Sequence, residues 1–236
     1  MDKSVLYQHG TLAQLVPGLF QGTLRADELL KHGDTGIGTL NGLNGELIIA
    51  AGKIYQVAAS GVVRLVNADE MMPFANVHWA DFTSVGAVDQ LDYDTLRAEL
   101  LHRAGTRNLF FAVRVHGTFQ TVTTRAVAEQ TEPYPTLTAT AAAQQVFTRQ
   151  NVAGTLSGYY SPNLYAGAVS PGFHLHFLDD AHQFGGHVLD AQTTAATVEL
   201  QKFTDFQLHL PAADPDFLQV NLDDPNITAA IKQAEN

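Results

Sequence analysis

Polar and apolar positions along this chain follow two periods, and the alternating one dominates. Alternation with period two marks strands that are half buried. It predicts a hairpin with arms at residues 46–51 and 54–59, joined at Gly52-Lys53 and entered through the turn-rich stretch 36–45. Further strands are expected at 62–66 and 77–83. Residues 109–115 and 118–127 read as a pair around Gly117. The second half adds strands at 152–160, 172–178, 187–191 and 195–210. Helical spacing is rarer. Short helices are expected at 12–16 and 25–31, the latter with Asp27 and Glu28 early in it. Residues 92–104 carry Leu96, Leu100 and Leu101 at helical spacing and stop at Gly105, a C-cap residue. Residues 138–147 read as an Ala/Gln helix, and 226–235 as a terminal helix capped by Asn226.

Strands outnumber helices, and most neighbours can pair as hairpins. The expected class is therefore α+β, with mixed or antiparallel β-sheets and a few short helices. The segment 129–135 is polar and carries two prolines, which makes it the expected linker. On that basis the chain divides into an N-terminal half, residues 1–130, and a C-terminal β-rich half, residues 136–236, two sheet-containing halves packed together.

Composition narrows the function. The chain has 236 residues, 45% hydrophobic and 16% charged, as expected of a soluble globular protein. With 13 basic and 24 acidic residues its formal charge is −11, which argues against nucleic acid or an anionic membrane as partner. No apolar run approaches a membrane span and the N-terminus lacks a cleavable signal, so the cytoplasm is the expected compartment. Cysteine is absent, so any metal must be held by imidazole and carboxylate.

One stretch offers such ligands: Gly172-Phe-His-Leu-His-Phe-Leu-Asp-Asp180, followed by Phe184-Gly-Gly-His-Val-Leu-Asp190. On a strand, His174 and His176 share a face. A hairpin register that pairs His176 with His187 brings a third imidazole to it, and a slip of one residue removes it. Three neutral nitrogen ligands with no fourth describe an open, catalytic zinc-type site. The alternative is two solvent-facing strand positions. His182 falls at the turn tip. His9, His32, His78, His102, His116 and His209 have no partners at ligand spacing and read as surface or rim residues. Asp179 and Asp180 read either as turn formers or as a support for a histidine.

That stretch, with Gly38-Thr-Leu-Asn-Gly-Leu-Asn-Gly-Glu-Leu-Ile48, Thr124-Arg-Ala-Val127 and Pro133-Tyr-Pro135, resembles the α-acetolactate decarboxylase family over most of the chain. The resemblance implies a Zn2+-dependent carboxy-lyase that converts 2-acetolactate to acetoin and carbon dioxide, the metal stabilising an enediolate. It implies His174, His176 and His187 as zinc ligands, with Glu46, Arg125 and Glu235 as catalytic groups and Thr39 and Arg125 beside the substrate. It also implies a homodimer. Two other readings stand beside it. One is a cupin-type metal enzyme, whose pattern places a glutamate where this chain has Asp179 and Asp180. The other is a non-catalytic zinc-stabilised binding module, which needs a fourth tight protein ligand.

Overall fold

In the computed structural model, which describes residues 1–235, the alternating segments become strands of two large sheets. The first contains β1 (Val5–His9), β3 (Thr35–Leu40), β4 (Asn44–Ala50), β5 (Lys53–Val57), β6 (Val63–Leu65), β8 (Phe74–His78) and, from far along the chain, β14 (Asp205–His209). Its spatial order is β14-β1-β8-β3-β4-β5-β6, with only β1 and β14 parallel. The second contains β9 (Thr83–Asp89), β10 (Phe111–Ala126), β11 (Gln145–Ser161), β12 (Gly172–Asp179) and β13 (Gly185–Lys202). There β10 pairs with both β11 and β13, and β12 also bridges those two, so the ladder closes on itself with β9 appended to β13. A short ribbon joins β2 (Leu24–Arg25) to β7 (Met71–Met72). The helices are α1 (Leu12–Leu15), α2 (Ala26–Leu29), α3 (Tyr93–Ala104), α4 (Leu137–Ala142), α5 (Pro215–Gln219) and α6 (Ile227–Glu235). This is the mixed α+β architecture that the pattern predicts.

Several boundaries differ from the expectation, each for a physical reason. Residues 77–83 are not one strand: β8 ends at His78 and β9 begins at Thr83 in the other sheet. Between them the amides of Ala80 and Asp81 donate to the side chains of Asp34 and Gln201, which ends the ladder. Gly117 is no turn. It lies in the middle of β10, opposite Gly154 and Ala196, where a Cβ would meet the Ala195 carbonyl at 2.2 Å. The two expected strands around it are therefore one. Residues 187–202 likewise form one strand, with bulges in its pairing to β10, while β14 leaves for the first sheet. The helix expected at 138–147 stops at Ala142, and Phe147 instead pairs with Thr124 and packs under Tyr55 and Val57. At 25–31 only Ala26–Leu29 is helical.

The sheets do not exchange at the proline segment. The first sheet takes residues 5–78 plus 205–209, and the second takes 83–202, so the change falls near residue 80. The largest core cluster fills the closed ladder: Val115, Phe119, Leu156, Phe177 and Val198 pack inside, with Leu96 and Leu100 of α3 against them. Burying such side chains is worth about 1.5–3 kcal/mol each, which holds strands of this length in one curved layer. A second cluster joins α1, α4 and α6 through Leu12, Leu15, Leu137, Ile227, Ile231 and Ala234, and it sits beside the histidine hairpin.

Candidate active site

The hairpin of β12 and β13 is set by its turn. Asp179, buried at 5% exposure, accepts the amide protons of Gln183 at 2.6 Å and Phe184 at 2.9 Å, so it is a turn former. His182 at the tip adopts φ 53° and lies against the Tyr55 ring. Gly186 has φ 128°, and a Cβ there would meet the Arg125 carbonyl at 2.5 Å. This corner fixes the register in which His176 pairs with His187.

The same face gathers His174, whose ring centroid is 5.2 Å from that of His176 and 4.9 Å from that of His187. One nitrogen from each of the three lies within 4.8 Å of the others. His176 donates its Nδ1 proton to the Leu47 carbonyl at 2.8 Å, so its Nε2 carries a lone pair. That Nε2 faces Nε2 of His174 at 3.3 Å and Oε2 of Glu46 at 3.5 Å.

The first sheet supplies one wall. Glu46 on β4 pairs with Thr39 on β3, and both side chains line the cleft. The Thr39 hydroxyl donates to the Gly45 carbonyl at 2.8 Å. The opposite wall comes from β10 and α6. Arg125 lies directly across the ladder from His187. Glu235, on the last turn of α6, has Oε2 3.4 Å from Nε2 of His174 and 3.9 Å from Nη2 of Arg125. All seven expected residues thus converge: six line one cleft of about 520 Å³, solvent at its mouth included, and His176 stands behind them. Leu12, Leu15, Leu43, Phe74, Val127, Leu137 and Ala141 are among the apolar residues of the lining. Sequence reasoning did not single out these apolar residues, because nothing in their pattern separates a cleft wall from ordinary core.

Burial dominates the electrostatics. It pushes His174 and His176 down to about 3, and His187 in the same direction, with the Arg125 cation adding to the effect. All three imidazoles are therefore neutral at pH 7, the form that ligates metal. Burial raises Glu46 to about 7; Glu235 pushes the same way and Arg125 opposes. Burial also raises Glu235, against Arg125 and His176. Among the described residues Oε2 of Glu235 has no hydrogen-bond partner, although the atom is buried. Imidazole nitrogens and carboxylate oxygens converge here, so the residues present fit a divalent metal.

Two of the remaining histidines are not at the rim. His9 and His78 are 0% and 1% exposed. His9 bridges Nδ1 of His209 at 2.9 Å and the Thr23 hydroxyl at 2.8 Å, and His78 contacts the Tyr159 hydroxyl at 2.8 Å. Neither reaches the cleft.

The family model of alpha-acetolactate decarboxylase matches residues 6–224. The chain belongs to this family. It is 37% identical over 99% of its length to an alpha-acetolactate decarboxylase of Brevibacillus brevis, covering 82% of that protein, and 33% identical over 98% of its length to one of Bacillus subtilis strain 168, covering 91%. The crystal structure of the Bacillus subtilis strain 168 alpha-acetolactate decarboxylase superposes with a TM-score of 0.94 over 99% of this chain and 100% of that one. A Staphylococcus aureus protein of unknown function, similar to the same enzyme, superposes with a TM-score of 0.95 at 37% identity, over 98% of this chain and 100% of that one. Glu235 lies beyond the span of the family model, so its place in the cleft rests on the geometry of α6. Among the described residues no helix is long and apolar enough to cross a membrane.

Proposed function

We propose that this chain decarboxylates 2-acetolactate to acetoin and carbon dioxide, with a divalent ion, zinc, on His174, His176 and His187. The observation that carries the reading is the convergence of three neutral imidazoles, two largely enclosed carboxyl groups and one guanidinium on an apolar-walled cleft, in a member of this family. When bound, the ion supplies a Lewis acid beside the carbon that loses carbon dioxide.

The chain's own residues do the rest. Arg125, at 5% exposure, pairs with the substrate carboxylate before the bond breaks. The Thr39 proton is committed to Gly45, so its oxygen faces the cleft as an acceptor and takes the substrate hydroxyl. Departure of carbon dioxide leaves an electron pair that spreads onto the neighbouring ketone oxygen. Protonation of the former carboxylate-bearing carbon then gives acetoin. Glu46, beside Nε2 of His176 and reaching the cleft from the other sheet, is the group placed for that transfer, with Glu235 as the second carboxyl. Leu12, Leu15, Leu43, Phe74 and Leu137 seat the methyl groups and exclude water.

The cupin-type reading loses support because Asp179 is tied into the turn. Family resemblance also supports a homodimer, which sedimentation would read. The decisive experiment incubates zinc-loaded protein with racemic 2-acetolactate and follows acetoin and carbon dioxide. Stoichiometric formation of both, abolished by chelation and restored by zinc, is expected. No acetoin, or a rate indifferent to exhaustive chelation, overturns the proposal.

A further inference from the structure

We propose that Gln144, outside the cleft, is a positioning residue: it selects which edge of the Arg125 guanidinium faces the substrate carboxylate. The inference rests on the decarboxylase reading for the identity of the substrate, but its geometry stands alone.

A guanidinium offers two kinds of paired donor edge. One is Nε with Nη2, and the other is Nη1 with Nη2. In this chain Arg25 shows the first on the surface, where Nε and Nη2 donate to the two oxygens of Asp27 at 3.0 and 2.8 Å. On Arg125 the same edge makes no hydrogen bond to the described residues. Its Nη1 donates to Oε1 of Gln144 at 3.0 Å. Among the described residues its buried Nε has no hydrogen-bond partner, and its Nη2 has an ion pair with Glu235 Oε2 at 3.9 Å, too long for a hydrogen bond. A buried N–H left unpaired is costly unless something fills it. The Nε–Nη2 edge is therefore a prepared fork for one carboxylate.

Gln144 is well placed to hold that fork in one orientation. It follows α4 and precedes β11, and its amide donates to the Ala141 carbonyl at the end of α4. Its backbone is thus tied to the helix whose Leu137, Thr140 and Ala141 line the cleft, whereas Gln144 itself does not line it. Its chemistry fits as well. An amide oxygen accepts from Nη1 without neutralising the cation, so the charge remains available to the ligand; a carboxylate there would compete for it.

The test uses zinc-loaded protein and calorimetric titration with two probes. One is 2-hydroxy-2-methylpropanoate, which has a carboxylate; the other is acetoin, which has none. Gln144→Met keeps length and loses the acceptor. It should weaken the hydroxy acid about tenfold, the size of one lost hydrogen bond, and leave acetoin affinity, zinc content and melting temperature unchanged. Gln144→Glu should also weaken the hydroxy acid selectively, by pairing with Arg125. Equal weakening of both probes, or unchanged affinity for the hydroxy acid in the Met variant, overturns the proposal. So does wild-type protein that fails to bind the hydroxy acid. None of these readouts needs turnover, so failure of the decarboxylase reading would show separately, as absence of acetoin from acetolactate.

Discussion

Arg125 and His187 are direct partners across the β10–β13 ladder, and His187 is in turn the partner of His176 across the next one. A cation and two neutral imidazoles therefore stand in one transverse row of the second sheet. Glu46 and Thr39 reach that row from the first sheet, and Glu235 reaches it from α6.

His174, on the same face of β12, joins His176 and His187 and makes the three histidines a unit. Replacing any one of His174, His176 or His187 by Ala should lower zinc content from about one per chain to a small fraction, with activity falling in parallel. Metal analysis beside rate measurement checks this. A single-Ala variant that retains both stoichiometric zinc and wild-type turnover would remove that residue from the ligand set.

Arg125→Lys should not preserve function. A lysine ammonium is a point charge and cannot reproduce a planar fork, so kcat/KM should fall roughly thirtyfold or more with zinc retained. A near-normal rate under saturating zinc would make the residue a peripheral charge.

Glu46→Gln removes the exchangeable proton while keeping shape. The variant should fold and hold zinc but turn over roughly a hundredfold slower or worse. Zinc lost together with activity would instead identify Glu46 as a ligand.

The anchoring of α6 is testable without touching the cleft lining. Ile231 is 1% exposed among Leu12, Leu15 and Leu137. Ile231→Ala removes about 2–5 kcal/mol of packing from a helix of nine residues, so α6 should loosen and withdraw Glu235. Activity should drop while the zinc bound by the hairpin stays. Faster amide exchange confined to α6 would show the cause.

His9 contributes one part of the acid sensitivity of the fold. Burial first, and the neighbouring His209 second, lower it from 6.5 to about 4. The folded protein favours the neutral ring, and the unfolded chain takes the proton earlier as pH falls. The stability associated with neutral His9 is therefore complete above about pH 6.5 and is lost as pH falls toward 4, by about 3 kcal/mol. His9→Gln should flatten the melting temperature between pH 6.5 and 4 relative to wild type. Parallel curves for the two proteins would refute the assignment.

The candidate site was legible where local chemistry dictates geometry. The Gly185-Gly186 corner and Asp179 fix a hairpin register, and period two then brings the histidines together. Glu46, Arg125 and Glu235 came only from family resemblance, because cross-sheet and helix-to-sheet contacts leave no periodic trace. Gly117 misled, since a glycine needed for close approach of Ala195 and Ala196 looks like a turn in sequence. The end of α4 also went unseen: Ala142 and Ala143 carry no breaker, and it is the strand pairing of Phe147 that ends the helix. Long-range choices such as the parallel seat of β14 beside β1, or the burial of His9 and His78, depend on the assembled core.

The hydrogen bond from His176 to the Leu47 carbonyl crosses from one sheet to the other. An ion gripped by His176 would therefore act as a rivet through both layers, since its ligand is itself bolted to β4. Loading should raise the melting point by mass action. It should also merge the openings of the two layers into one event, so that amides on β4 and on β12 acquire protection together when zinc is added and lose it together when zinc is withdrawn.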